Sequence, residues 1–401
     1  MSLEAAWKRT AMNRKASRVI ERVLLLAFLL MLSATGGCKD RQWKLWSSYS
    51  ARFIDDQGRV FDPQGDQRTS SEGEAYALFF SLAANDRPCF DRVLSWTKAN
   101  LAGGSLEVRL PAWQWGKSSD GPWRALDANS ASDADVWMAY TLIEAGRLWN
   151  NPAYSSLGLR MAALIAKSEV SNLPGFGPML IPGPSGFQHG NSWTLNPSYV
   201  PVFLFQRLAQ ADPGGPWAQI ARGIPRLLEQ SARHGFAMDW VDYVPGDGFY
   251  PTARQSTGAS AKDADGPGGS YDAIRVYLWA GMANGEGKLR GELLGAVPGM
   301  SAYLANHDAP PEKVSDQGIP LAQDGPVGFS AALLPYLRSF GESRSSGQQI
   351  IRMNALRDSA SGLYGKDLSY YDQNLALFGT GFLDSRFSFG PSGELKVEWK
   401  R

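Results

Sequence analysis

Cysteine and histidine are nearly missing from this chain: its 401 residues include 2 Cys and 3 His. Cys38 and Cys89 cannot build a disulfide framework, so the fold must be held by a large core. His189, His234 and His307 fall in no metal-binding spacing, and neither H-E-x-x-H nor a cysteine pair at ligand distance occurs. No metal and no cofactor is therefore expected. The phosphate loop G-x-x-x-x-G-K-[ST] and the nucleophile elbow G-x-S-x-G are also absent, which removes the sequence support for nucleotide-dependent and elbow-type serine hydrolase classes. A net charge of +1 offers no electrostatic footprint for nucleic acid. The apolar run at residues 23–32 is too short to span a bilayer comfortably.

What is present begins with that run. Lys8, Arg9, Arg14, Lys15, Arg18 and Arg22 precede it and SATGGC follows, the order of a secretory signal. Residues 1–37 are expected to be this signal and 38–401 a single domain, periplasmic or secreted. Met12 is an alternative start. Cys38 after Gly-Gly leaves a lipid-anchored mature N-terminus open, although Thr35 stands where an aliphatic residue is usual. The 14 Trp are the unusual count. Flat sugar rings stack well on indole faces, and a Trp-rich core is the competing explanation.

Helical periodicity recurs near 42–54, 74–85, 88–101, 133–149, 154–168, 198–212, 216–234, 271–284, 288–306, 328–342, 346–357 and 371–384. Strand-like alternation is scarce, mainly in RFSFGPSGELKVEW near the C-terminus. About a dozen helices in one domain favour helical hairpins in a ring or solenoid over a simple bundle. Residues 246–270 read as a long loop without apolar period.

Three of these helices open in the same way. In SSEGEAYALFF, Ser71 and Glu74 have capping-box spacing, which leaves Glu72 without a structural task beyond the helix dipole. The adjacent Gly73 would let another group approach closely. In SASDADVW, Ser132 can cap with Asp135, leaving Asp133; in GSYDAIRVYLW, Ser270 can cap, leaving Asp272. Each spare acid has an aromatic neighbour, Tyr76, Trp137 or Tyr271. The pattern points either to one acidic cleft lined by rings or to three independent dipole-compensating acids.

The run ASDADVWMAYTLIEAGRLW (residues 131–149) resembles the signature of glycoside hydrolase family 8, departing mildly at Thr141. The resemblance continues through TSSEGEAYALFFSLAANDR, LPAWQWG, NPSYVP, GSYDAIRVYLWAGM, PPEKV, GPVGFSAALLP and YYDQNLALFGTGF, and is closest to the periplasmic endo-1,4-β-glucanases associated with bacterial cellulose synthase. It implies an all-α (α/α)6 barrel of six inner and six outer helices, and inverting hydrolysis of β-1,4-glucan. It assigns Glu72 as general acid, Asp272 as general base and Asp133 as the acid that holds the sugar at the cleavage subsite. Tyr199, Tyr271 and Tyr371 become cleavage-subsite residues by the same resemblance, with a plain core role the alternative for each. Implied partners are a β-1,4-glucan and an association with cellulose export machinery, for a protein expected to be a monomer.

The chemistry sets opposite demands on the two catalytic acids. Inversion needs one protonated carboxyl and one carboxylate, about 6.5–9.5 Å apart, with a water between the carboxylate and the sugar. A helix start works against a protonated Glu72, so burial and the charge of Asp133 must raise its pKa. Arg275, three residues beyond Asp272, can hold Asp272 or Asp133 ionised; a surface i,i+3 pair is the simpler reading. Trp113, Trp115, Trp123 and Trp193 stand near Gly or Pro and are candidate stacking platforms, about half of them expected to be packing instead. Two alternatives remain: a non-catalytic glycan-binding or scaffold subunit, and a hydrolase of the same fold acting on xylan, mixed-linkage glucan or chitosan.

Overall fold

The computed structural model describes residues 42–253, 266–322 and 324–400. The signal segment, Cys38 and the centre of the 246–270 loop lie outside the described residues. Residues Lys44–Arg401 form one compact unit. Its helices are α1 (Lys44–Phe53), α2 (Ser71–Ala83), α3 (Arg87–Asn100), α4 (Ser132–Leu148), α5 (Pro152–Ser168), α6 (Val202–Ala211) and α7 (Trp217–Ser231). They continue with α8 (Ala273–Met282), α9 (Leu289–Ala296), α10 (Gly299–Leu304), α11 (Val327–Phe340), α12 (Ser343–Ala355) and α13 (Tyr370–Leu383).

Burial sorts these helices into two rings. In α2, α4 and α8 nearly every residue is buried, whereas α3, α7 and α12 bury a single stripe. A helix apolar all round must be surrounded by others; a one-striped helix lies outside. The inner set is α2, α4, α6, α8, α11 and α13, with α4 packed on α2 and α11 on both α8 and α13. Each of α3, α5, α7 and α12 packs behind the inner helix it follows in sequence. The architecture is an (α/α)6 barrel, and the expected helices appear within a few residues of their expected bounds. One was too long: residues 288–306 split into α9 and α10 at Pro298, which cannot donate into a continuing helix and pushes Val297 out of helical conformation (φ −128°).

The barrel axis is filled by rings. Phe79 of α2, Trp137 of α4, Phe203 of α6, Trp279 of α8 and Phe378 of α13 meet at centroid separations from 4.9 to 6.2 Å. Trp137 is thus core, not a wall of the cleft. Gly281 of α8 lies against the backbone of Tyr336, and Gly379 of α13 against the carbonyl of Ala331; a Cβ at either position would collide. The neighbouring helices approach that closely because no side chain intervenes.

Connections from an inner helix to the next outer one are short, as at 84–86 and 149–151; those returning inward are long, as at 101–131 and 232–272. The inward connections carry short strands that sequence periodicity did not reveal: β1 (Thr69–Ser70), β2 (Gln114–Lys117), β3 (Trp123–Asp127), β4 (Val170–Leu173), β5 (Gly177–Leu180), β6 (Gln188–His189), β7 (Ser192–Leu195), β8 (Val241–Val244), β9 (Gly248–Pro251), β10 (Gly268–Gly269), β11 (Lys313–Ser315) and β12 (Pro320–Ala322). They pair across long separations, Ser70 with Gln114, Trp193 with Tyr243 and Gly269 with Val314. The 246–270 loop thus begins in β9 and ends in β10. By this topology the sheets gather at the end of the barrel where the inner helices begin. The expected C-terminal hairpin, β13 (Phe387–Phe389) with β14 (Leu395–Val397), docks at the other end. There the buried Glu144 near the end of α4 accepts from Arg147, Arg207 and the Leu395 N–H, and Tyr140 donates to the Gly393 carbonyl.

Candidate active site

Glu72, Asp133 and Asp272 stand at the starts of α2, α4 and α8, so the barrel brings them to one mouth. The local caps differ from the sequence expectation. Ser70, not Ser71, is the N-cap of α2: its backbone is extended and its hydroxyl accepts from the Gly73 N–H at 3.3 Å. Glu74 is no capping-box partner. It is fully buried and accepts from the Val60 N–H at 2.8 Å and the Thr97 hydroxyl at 3.1 Å, tying α2 to α3 and to the strap before it. Gly73 does admit a close neighbour, but from within the protein: Tyr370 Oη fills the space a Cβ would need.

Glu72 faces a different environment. The Ser71 N–H donates to the Trp113 carbonyl at 2.9 Å, extending the β1–β2 pairing by one rung. That register carries Trp113 alongside α2, and its indole N–H donates to Glu72 Oε1 at 3.0 Å. Oε2 has a long 3.4 Å contact from the Ser71 hydroxyl, which leaves it able to hold a proton. Burial first, then the negative charge of Asp133, raises the Glu72 carboxyl from 4.5 to about 7. Backbone donors at the helix start, Arg275 and Trp113 pull the other way and lose.

Asp133 and Asp272 are joined by one guanidinium. Arg275 Nη1 donates to Asp133 Oδ2 at 3.0 Å and to Tyr76 Oη at 3.0 Å, and Nη2 donates to Asp272 Oδ1 at 2.6 Å. Arg275 is buried, at 8% side-chain exposure, so the simple surface-pair reading fails; Asp272 keeps 30% of its side chain open to solvent. Asp133 Oδ1 accepts from the Ala134 N–H at 2.9 Å. Burial raises the Asp133 carboxyl and Arg275 opposes the rise. The Tyr199 ring lies 5.6 Å from the guanidinium carbon. Burial and then the charges of Asp133, Asp272 and Glu72 push its phenol well up, so Tyr199 stays protonated, with all three acids acting on it.

The remaining candidates divide. Tyr371 donates to the Tyr271 carbonyl and is pushed up by burial, with Arg275 opposing and Asp272 adding to the rise. Tyr271 is 45% exposed and donates to Glu312 at 2.6 Å, its ring 5.8 Å from that of Tyr371. Among the four tryptophans only Trp113 bonds one of the three acids. Trp115 stands edge-on to Trp96 of α3, stacks on Trp123 at 4.9 Å, and both rings face Arg59. Trp123, 43% exposed, keeps an open surface. Trp193 is 5% exposed and donates to Ser171 at 2.9 Å, leaving no free face for a sugar ring; that expectation is corrected.

Neither Ser132 nor Ser270 caps as expected. Ala131 is the N-cap of α4 and no side chain caps it; the buried Ser132 hydroxyl lacks a partner. Asp135 instead lies in the interior, where the charge of Glu169 acts on it. Ser130 donates to Glu169 at 2.5 Å. Burial and the charge of Glu169 push Asp135 well up, and burial raises Glu169 to about 7, so both carboxyls bind protons more tightly here than in the unfolded chain. The Ser270 hydroxyl donates to Asp239, which no local pattern marked. Among the described residues, no three His, Cys, Asp or Glu side chains are placed to hold a metal ion.

A family model described as Glycosyl hydrolases family 8 matches residues 12–384. An endoglucanase of Xanthomonas axonopodis pv. citri (strain 306) is 46% identical over 359 residues, covering 89% of this chain and 90% of that protein. An endoglucanase of Escherichia coli (strain K12) is 40% identical over 389 residues, covering 97% and 98%. The solved endo-1,4-D-glucanase from Vibrio fischeri ES114 aligns with a TM-score of 0.80 at 36% identity, over 90% of this chain and 100% of that one. With matches of that extent, and three acids gathered at one barrel mouth, the chain belongs to glycosyl hydrolases family 8.

Proposed function

We propose that this enzyme cleaves β-1,4-glucosidic bonds within cellulose or a related β-glucan, with inversion at the anomeric carbon. Glu72 is the general acid that protonates the leaving oxygen. Asp272 is the general base that draws a proton from the attacking water, and Asp133 holds the sugar at the cleavage subsite. The observation that carries this reading is the unequal treatment of the acids. The Arg275 guanidinium donates to Asp272 at 2.6 Å, while Glu72, which accepts from the Trp113 indole, is raised to about 7 by burial and the charge of Asp133. A carboxyl raised toward its protonated form and a second one paired with a guanidinium at the same mouth suit acid–base cleavage of a glycoside. Tyr199, Tyr271, Tyr371 and Arg275 complete the subsite. Trp113 and the exposed Trp123 are the tryptophans we assign to sugar contact, Trp115 supporting Trp123 from behind.

The names of the curated relatives and of the solved neighbour support a β-1,4-glucan substrate. The basic, then apolar, N-terminal composition supports action outside the cytoplasm. We place that action on glucan made during cellulose synthesis and export, and assign it to a monomer. The test is a digest of soluble β-1,4-glucan followed by NMR of the newly formed anomer. The α-anomer must appear first; initial β-anomer rules out inversion. Glu72→Gln must lose turnover while retaining oligosaccharide affinity. A scaffold protein would have no turnover to lose.

A further inference from the structure

The peptide that carries Asp272 is held by a residue 33 positions upstream. Asp239 lies between α7 and β8, and its Oδ1 accepts three backbone N–H groups: Ser270 at 2.8 Å, Asp272 at 3.1 Å and Ala273 at 2.7 Å. Its Oδ2 accepts the Ser270 hydroxyl at 2.6 Å. The Ala273 N–H is a free donor of the first turn of α8, which has no side-chain cap of its own, and the other donors lie in the segment that leads into it. Asp239 therefore serves as the cap, supplied from a distant segment.

The support is itself rigid. The Asp239 N–H donates to the Gly268 carbonyl at 2.9 Å, and the Ala237 N–H donates to Tyr277 Oη of α8 at 2.9 Å. Gly269 lies directly against the Ala237 carbonyl, where any Cβ would collide. From the other side, Tyr371 donates to the carbonyl of Tyr271. The residues around Asp272 are thus fixed through both their N–H and C=O groups, and Arg275 then orients the carboxylate.

We propose that Asp239 is a positioning residue for the general base, setting where the Asp272 carboxylate stands relative to the water it activates. The inference rests on the assignment of Asp272 made above. Burial of a second acid beside the base is costly: burial first, then the charge of Asp272, raises Asp239 to about 6. A helix start could be capped by Ser or Asn without bringing that charge in. Here the four donors that converge on Asp239 all come from the segment that carries Asp272, so its side chain fixes that peptide as well as capping the helix.

The experiment is a kinetic cycle on soluble β-1,4-glucan with Asp239→Ala, Asp239→Asn, Asp272→Asn and the double variant Asp239→Ala/Asp272→Asn. A displacement near 1 Å at a reacting group costs on the order of 100-fold, so Asp239→Ala should lower kcat by ~10–100-fold with KM changed less than about twofold. Asn keeps one oxygen for the three N–H groups, and Asp239→Asn should recover most of the loss. In the Asp272→Asn background, Asp239→Ala should add no further loss, since its effect passes through the base. Wild-type kcat in Asp239→Ala, or an undiminished additional loss in the double variant, overturns the inference. If Asp272→Asn itself keeps full activity, the fault lies with the general-base assignment instead. Should Asp239→Ala not fold, the Asp239→Asn and Gly269→Ala variants decide: the first must stay close to wild type. The second must lose kcat with KM held, because its methyl displaces the segment bearing Asp239.

Discussion

Replacing Glu72 with glutamine should abolish turnover and stabilise the protein, and the stabilisation should depend on pH. The wild-type carboxyl is raised from 4.5 to about 7 in the folded state, so between those values the folded protein binds more protons than the unfolded chain. Stability therefore falls as pH rises through this window and levels off above it. At ~1.4 kcal/mol per pH unit the full effect is at most about 3 kcal/mol, and screening at the cleft-facing side brings it to ~1–2 kcal/mol. Glutamine carries no charge to bury and none to oppose Asp133, and its carbonyl can still accept from Trp113. Urea unfolding of both proteins at pH 5 and pH 8 measures the difference. Glu72→Gln should gain ~1–2 kcal/mol over wild type at pH 8 and clearly less at pH 5. The loss of a general acid should lower kcat by at least ~100-fold. A stability gap equal at the two pH values would refute the argument that Glu72 pays for its proton with burial and the charge of Asp133.

Trp113→Phe removes the N–H that favours ionised Glu72, so the basic limb of kcat/KM should move up by about one pH unit; a downward shift would contradict the assignment. Arg275→Lys cannot bridge Asp133 and Asp272 with one planar group, and should lose ~3 kcal/mol of stability and at least ~100-fold in kcat. Activity within about twofold of wild type would show the bridge to be dispensable. Asp135→Asn removes one of two buried acids, whereas the wild-type pair, with Asp135 pushed well up and Glu169 raised to about 7, holds protons that the unfolded chain releases and so loses stability as pH rises. Denaturant unfolding should show the variant gaining on wild type from pH 6 to pH 9.

Helix positions were legible from sequence because a buried stripe is a local, periodic property, and so were the three acids that cap spacing left without a structural task. Motif resemblance added the barrel and the roles proposed for Glu72, Asp133 and Asp272. Cap partners were not legible: Glu74 bonds Val60 and Thr97, and Asp239 reaches forward to Ser270, Asp272 and Ala273. A carboxylate accepts from whichever donor the fold presents, and the spacing that suggests a local donor does not exclude a distant one. The sheets escaped notice for a related reason: strands of two to five residues have too little alternation to detect, and their partners lie far along the chain.

Sequence alone determined the helical succession, the placement of an acid at each of three helix starts, and the family. Tertiary structure decided that the Glu72 carboxyl is raised and that Arg275 joins Asp133 to Asp272, since these depend on burial and on the reach of distant side chains, none of which is a property of neighbours in the chain. It also decided which tryptophans lie open and which fill the interior, because a side chain's surroundings are set by what folds over it.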